Sequence, residues 1–327
     1  MTDETEFKTP RVALVAGVLA VAAAFTLLAT TFGFILSELS GNLAKLGEVG
    51  PYRGLVTMGV LGGALGAVGA AMRFRLETWQ TNLGWSFRAG SIATVLAVVA
   101  TSWTGLLVAA FVMGAAGGWI LTTLATGMRA SVGTRRLGVV VGAGIACALI
   151  LGEGGLVLGS WFGEPIKGAG IVIAMLLAAT SVVVPFLTPL EPSMDMEAGY
   201  RGWGLAVNWV VMSAVIVGGF SIYRGGTEMP DSYLNIFVSV VCSLLLGRWL
   251  DADHRRYALL AAVGTLVVGS ILRDTPGIGT YAPIIAISST AVIAFHFAAR
   301  GGRVWVAAGT VVFVFFIALN SVSWLSI

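Results

Sequence analysis

The stretch LLLGRWLDADHRRYALL, residues 244–260, places a cluster of polar side chains between two long apolar runs. Its charged or histidine residues are Arg248, Asp251, Asp253, His254, Arg255 and Arg256. A short polar segment of this kind is typical of a loop between two membrane-spanning helices, because only the loop residues reach water. The stretch therefore predicts a helical membrane protein.

The composition of the whole chain supports this prediction. The 327 residues are 57% hydrophobic and only 11% charged, whereas soluble domains carry about 25% charged residues. The apolar residues occur in runs of about twenty, the length at which a helix crosses a hydrocarbon core of about 30 Å. Short alternating segments typical of a membrane β-barrel do not stand out. We therefore expect an all-α polytopic membrane protein.

The apolar runs predict eleven spans joined by short connections. Short connections favour consecutive helices as antiparallel neighbours. The segment 188–203 holds prolines and acidic residues but no long apolar run, so it divides the chain. We expect an N-terminal six-helix half at 1–190, a central cytosolic loop at 191–202, and a C-terminal half of about five helices at 203–327. The predicted spans are 12–36, 54–72, 84–102, 105–128, 137–160, 168–188, 203–222, 232–250, 257–272, 279–299 and 304–325.

The basic residues predict the orientation of these spans. With the N-terminus in the cytosol, only five of the nineteen Lys and Arg residues fall outside, namely Lys45, Arg53, Lys167, Arg224 and Arg273. An excess of Lys and Arg in short cytoplasmic loops is the usual determinant of orientation. We expect a multi-pass protein of the prokaryotic cytoplasmic (inner) membrane with its C-terminus outside. The basic balance thus reflects topology, and no nucleic-acid partner is expected.

The loop at 244–260 has a specific spacing. Gly247 permits close approach of two helices, and Asp251 can accept hydrogen bonds from a helix N-terminus or an arginine. Together with Arg255 and Arg256, they resemble the G-x-x-x-D-x-x-x-R-[RK] loop that follows helix 8 in the major facilitator superfamily. The resemblance implies a two-half helical bundle, with about eleven spans here against the family's usual twelve. It also implies a cytosolic gate loop that pairs in one conformation and releases in another.

The first-half counterpart of this loop is GAVGAAMRFR, residues 66–75. It keeps Gly66, Arg73 and Arg75 but has Ala70 where the family has an aspartate. Arg73 and Arg75 are therefore included in the predicted gate. The Gly-rich stretch from span 4 into span 5 is also similar to the superfamily, although Ala110 occupies the position of the family's helix-4 arginine.

Glu153 is the sharpest candidate for an ion or substrate contact. It lies inside span 5, flanked by Gly152, Gly154 and Gly155. A carboxylate at membrane depth is costly unless it faces a cavity or a partner, so it is a functional candidate by default. The competing interpretation is that it caps a kinked helix near the outer surface. Asn208, Asn235 and Asn320 are further candidates for the transport path, although such side chains more often bond across helices.

The sequence offers little material for a metal site or for catalysis. His254, His296, Met194, Met196 and Cys242 do not have the spacing of a ligand set. Cys147 and Cys242 lie in apolar runs, where they are interpreted as small hydrophobic residues. Motifs of phosphate binding, metalloproteolysis or serine hydrolysis are absent from the sequence. We expect no cofactor, no metal and no enzymatic activity.

Two functions follow from these observations. The first is a secondary active transporter of a small solute that works by rocking-type alternating access. The second is a non-transporting member of the same fold, an assembly factor or structural subunit that contacts other membrane subunits. The missing first-half aspartate, the missing helix-4 arginine and the odd span count favour the second. The expected partners are the lipid bilayer and an unidentified solute or ion.

Overall fold

The computed structural model describes residues 11–28, 35–45, 52–133, 136–161, 163–188, 232–252, 255–272, 275, 278–299 and 306–311. Within these ranges the chain is helical and contains no β-strand. Residues 306–311 are also helical, and a short 3₁₀ turn, Val184–Phe186, follows α7. The helices are α1 (Arg11–Thr26), α2 (Leu36–Lys45), α3 (Tyr52–Arg73), α4 (Trp79–Val99), α5 (Trp103–Val132), α6 (Leu137–Ser160), α7 (Pro165–Val183), α8 (Ser232–Asp251), α9 (Arg255–Ile271) and α10 (Ile278–Ala298).

The fold is that of an all-α membrane protein. Five of the described helices are long and apolar enough to cross a membrane, namely α3, α5, α6, α7 with its 3₁₀ turn, and α8. The helix α6 matches its predicted span at both ends. The predicted span at 203–222, most of the span at 304–325 and the predicted boundary at 191–202 lie outside the described residues.

A helix that extends beyond the predicted first span lies near the N-terminus. Residues 11–28 and 35–45 are helical, whereas residues 29–34 of the predicted span 12–36 lie outside the described residues. The leucines of α2 at 36, 39 and 43 follow the spacing of one helix face, and all three are buried. Glu38 on the same helix is exposed. The α2 helix is therefore amphipathic, which a search for long apolar runs does not detect.

Close backbone packing joins α3 to α5. A Cβ atom on Gly66 would overlap the carbonyl of Ala115, and one on Gly114 would overlap the carbonyl of Gly59. Glycine on both helices allows this approach, which supplies the van der Waals contact that holds helices together in lipid. The small-residue face of α3 therefore packs closely against α5 within one group of helices.

The described helices form two groups. The first group comprises α1 to α7, which pack on one another through α3–α5, α4–α5, α1–α6, α4–α7 and α6–α7 contacts. The second group comprises α8 to α10, linked through α9–α10 and α8–α10 contacts. The main contact between the groups is between α6 and α8. A second contact joins Ala67 and Ala71 of α3 to Ala307 and Val311.

Candidate functional site

The α6 helix begins without a capping side chain of its own. Arg136 occupies the N-cap position and makes no side-chain hydrogen bond to the first turn. The first backbone N–H groups of any helix have no partner within the helix, and the helix dipole adds about half a positive charge there. The start of α6 can thus accept a cap from elsewhere in the molecule.

Asp251, the last residue of α8, supplies this acceptor. Its Oδ1 accepts a hydrogen bond from the backbone N–H of Gly138 at 2.7 Å, and its Oδ2 accepts one from Val139 at 2.8 Å. These are the second and third residues of α6, the positions that an N-cap side chain normally satisfies. Asp251 therefore caps α6 from the other helix group. We call this pair of hydrogen bonds the latch.

Glycine makes the latch geometrically possible. A Cβ on Gly138 would overlap the carbonyl of Gly247, and a Cβ on Gly247 would overlap the carbonyl of Gly138. One turn further along α6, a Cβ on Gly142 would lie 3.1 Å from the Cα of Gly247 and would overlap the carbonyl of Ser243. The backbones of α6 and α8 thus touch, and the two helix groups are closed against each other at this end.

His296 lies beside the latch. It occupies the last turn of α10, and its Nε2 atom is 4.0 Å from Oδ1 of Asp251. Its side chain is fully buried, and the side chain of Asp251 is 8% exposed. The carboxylate thus lies between a helix N-terminus of the first group and an imidazole of the second.

A small apolar cavity of about 40 Å³ lies between the two helix groups. Its one hydroxyl, on Thr310, already donates to the carbonyl of Val306 at 2.8 Å. The cavity therefore offers a polar ligand no unused side-chain donor among its lining residues. These residues are Phe25, Leu28, Leu121, Ala125, Ala291, Ala294, Phe295, Ala298 and Thr310.

The other predicted path residues are only partly described. The backbone of Glu153 belongs to α6, but its side chain lies outside the described residues. Asn208 and Asn320 also lie outside them. The Oδ1 atom of Asn235 on α8 is buried and has no hydrogen-bond partner among the described atoms. The described residues therefore do not test whether these four residues form a site, and their role stays a prediction.

The six predicted gate residues fall into three pairs. Asp251 and Gly247 meet α6 as described, which agrees with the expectation that Asp251 accepts hydrogen bonds from a helix N-terminus. Arg73 ends α3, and Arg75 follows it, both exposed. Arg255 and Arg256 begin α9, and their side chains lie outside the described residues. The gating role of all six residues stays a prediction.

The sequence analysis did not identify the residues whose backbone N–H groups donate to Asp251. Gly138 and Gly142 form a G-x-x-x-G pair, a known signal for close helix contact in membranes, so this half of the contact was detectable. His296 gave no such signal, because a single histidine near a helix end has no distinctive spacing.

The comparisons with known proteins agree with this architecture. No family model matches the chain, and no curated protein matches its sequence. Among solved structures, the chain is similar to the major facilitator superfamily transporter FucP in the outward conformation, with a TM-score of 0.61 and 13% identity over 94% of this chain and 90% of that one. It is also similar to the human organic anion transporter MFSD10 (TETRAN), with a TM-score of 0.55 and 13% identity over 97% and 92% of the two chains.

A bacterial homologue of the iron transporter ferroportin in an outward-facing state gives a TM-score of 0.59 at 12% identity, over 97% of this chain and 92% of that one. Identities this low establish the fold and no more. The chain is therefore an all-α membrane protein with a major-facilitator-like fold.

Proposed function

We propose that this chain is a secondary active transporter of a small solute, which works by rocking of an N-terminal half (1–190) against a C-terminal half (203–327). The observation that carries the proposal is the latch. Asp251 and Gly247 of one helix group close on the start of α6 of the other, through contacts that a rigid-body rotation would break together. A static bundle has no need of a charged cap that crosses between groups, because an ordinary N-cap residue on α6 would serve.

The proposed orientation follows from the positive-inside rule. By this rule we propose that the latch end lies in the cytosol of a prokaryotic cell, with the protein in the inner membrane and its C-terminus outside. The latch is then the cytosolic gate, and Arg73, Arg75, Arg255 and Arg256 belong to its surroundings. In this arrangement the described conformation is closed toward the cytosol.

The proposed path lies between the halves. Glu153 is the proposed ion or substrate contact, since a carboxylate at membrane depth needs a cavity or partner, and Asn208, Asn235 and Asn320 are proposed to line the path. We expect the substitution Glu153→Gln to abolish uptake or its pH dependence. Glu38→Gln, at an exposed carboxylate on α2, is the matched control and should transport normally. Full transport by Glu153→Gln would remove this residue from the proposal.

Alternating access can be tested without knowing the substrate. We propose placing one cysteine at Ala294, a cavity residue that is 5% exposed, in a chain whose Cys147 and Cys242 are replaced by alanine. In oriented proteoliposomes, a membrane-impermeant methanethiosulfonate reagent added on either side should label it, because each side opens in turn. Labelling from one side only, or from neither, would contradict rocking.

The competing function, a non-transporting assembly factor or structural subunit, makes a different prediction. Such a protein should co-purify with stoichiometric membrane partners after mild detergent extraction, and its cysteine at 294 should stay unreactive from both sides. Counterflow of any member of a radiolabelled panel of sugars, amino acids and organic anions by the purified chain would favour the transporter.

A further inference from the structure

His296 is a buried titratable side chain that the proposed transport path does not use. It lies in the last turn of α10, with Nε2 4.0 Å from Oδ1 of Asp251. We propose that His296 is a proton-binding site that controls the latch, so that its protonation releases Asp251 from the start of α6 and lets the helix groups separate at this end. The role of this site in a transport cycle rests on the proposed function, whereas its effect on the latch does not.

The direction of the effect depends on which helix group carries each charge. Asp251 and His296 both belong to the second helix group, so their mutual attraction is present whether the latch is closed or open. The partial positive charge at the start of α6 belongs to the first group. A proton on His296 brings a full positive charge close to that helix end only while the latch is closed. The resulting repulsion is relieved when the groups separate.

The burial of His296 also favours the open arrangement once the side chain is protonated. The imidazole is fully buried in the closed arrangement, and a charge held away from water is destabilised even beside an opposite charge, unless its geometry is excellent. Opening this end admits water to the charged pair. A protonated His296 therefore favours the open arrangement through both repulsion and solvation.

The neighbouring charges strengthen the effect. The first-group helices that contact α10 are α5 and α6, and their described charged residues at this end are Arg129, in the last turn of α5, and Arg136, directly before α6. Both are positive and add to the repulsion. In the second group, Arg248 lies in the last turn of α8, and Arg255, Arg256 and Tyr257 begin α9. Asp253 and His254 lie between these two helices, outside the described residues.

Histidine is the side-chain type whose charge normally changes between pH 5 and 8. The sequence contains two histidines, His254 and His296, so each is the natural control for the other. A unit charge near a helix terminus changes an equilibrium constant by about two- to tenfold. We expect the ratio of open to closed molecules to rise by about that factor between pH 8.0 and pH 5.5.

The experiment measures distances across the latch in the full-length chain. Spin labels are attached at Glu77→Cys and Tyr257→Cys, two exposed positions in the two helix groups, with Cys147 and Cys242 replaced by alanine. Double electron–electron resonance in proteoliposomes then gives the open and closed populations at each pH. The variants are His296→Gln, His296→Arg and His254→Gln.

We expect the parent and His254→Gln to shift toward the long distance at pH 5.5. His296→Gln should remain closed at both pH values, and His296→Arg should be open at both, since arginine keeps its charge. A pH shift that persists in His296→Gln, that disappears in His254→Gln, or that is missing from the parent would overturn the proposal. If the shift follows His296 but labelling at residue 294 shows no alternating access, the inference stands and the transporter function fails.

Discussion

Two of the contacts that the later part of the chain makes with the first helix group differ in chemistry. Between α6 and α8, a buried carboxylate caps a helix start, and glycines bring the two backbones together. Between α3 and residues 306–311, the contact consists of Ala67, Ala71, Ala307 and Val311. Ala70, where the corresponding aspartate of the first-half loop would stand, is buried at 1% exposure. The first contact is polar and directional, and the second is apolar.

This difference has a mechanical consequence. Hydrogen bonds from Gly138 and Val139 to one carboxylate are either formed or lost, because their strength falls steeply with distance and angle. An alanine contact in lipid has no comparable directional term, since lipid chains are about as apolar as the alanine methyl groups. We therefore expect the α6–α8 contact to determine whether this end is closed. The α3 contact should form or be lost as a consequence.

The largest effect should come from Gly247→Leu. A side chain there would occupy the space of the Gly138 carbonyl, so the helices must separate and the latch must break. We expect the closed population to be lost and transport to fall by more than about tenfold, since overpacking costs about 1–3 kcal/mol or more. The control is Gly264→Leu on α9, where a Cβ meets no atom within 4 Å. Equal behaviour of the two variants in the spin-label distance measurement would refute the close contact.

The next effect should come from Asp251→Ala. This variant leaves two backbone donors of α6 unsatisfied and removes two charge-assisted hydrogen bonds, so we expect a cost of about 2 kcal/mol to the closed state. Asp251→Asn should retain part of the effect, because its amide oxygen still accepts one bond. The control is Glu164→Ala, which breaks an exposed pair with Lys167 that is worth little. Indistinguishable distance distributions for the aspartate and glutamate variants would count against the latch.

A smaller and different effect is expected from Ala67→Leu. This residue is fully buried in the α3 contact, so overpacking should lower the thermal stability by about 1–3 kcal/mol. The response to pH should remain that of the parent, because no charge is involved. Ala261→Leu, at an exposed position on α9, is the control. Loss of the pH response in Ala67→Leu would show that the two contacts are not distinct.

The smallest effect should come from Ser243→Ala. Its hydroxyl is fully buried at the α6–α8 contact and has no partner among the described atoms. Removing an unsatisfied buried polar group is neutral or slightly stabilising. Ser289→Ala is the matched comparison, because that hydroxyl lies 3.3 Å from the thiol of Cys242. A thermal-shift measurement that finds Ser243→Ala clearly more destabilising than Ser289→Ala would reveal a partner for Ser243.

The sequence predicted one side of the latch and not the other. The spacing of Gly247 and Asp251 indicated a close helix contact and a carboxylate that accepts hydrogen bonds. Both features depend only on residue types and their spacing along one helix, which the sequence shows directly. The G-x-x-x-G pair of Gly138 and Gly142 signals a close helix contact, but nothing in the sequence indicates that Asp251 caps α6, since Arg136 and Leu137 carry no capping signal and α6 is distant from α8 in sequence. Long apolar spans such as α6 were predictable from hydropathy, whereas α2 was missed because it is short and amphipathic.

Hydrogen exchange at the start of α6 tests the central claim most directly. In the parent protein, the amides of Gly138 and Val139 should be protected, because Asp251 accepts both. In Asp251→Ala, mass spectrometry of peptides that contain these two residues should show faster exchange, while peptides from the middle of α5 keep their protection. Unchanged protection of Gly138 and Val139 in Asp251→Ala would show that Asp251 does not cap α6 and would contradict the account.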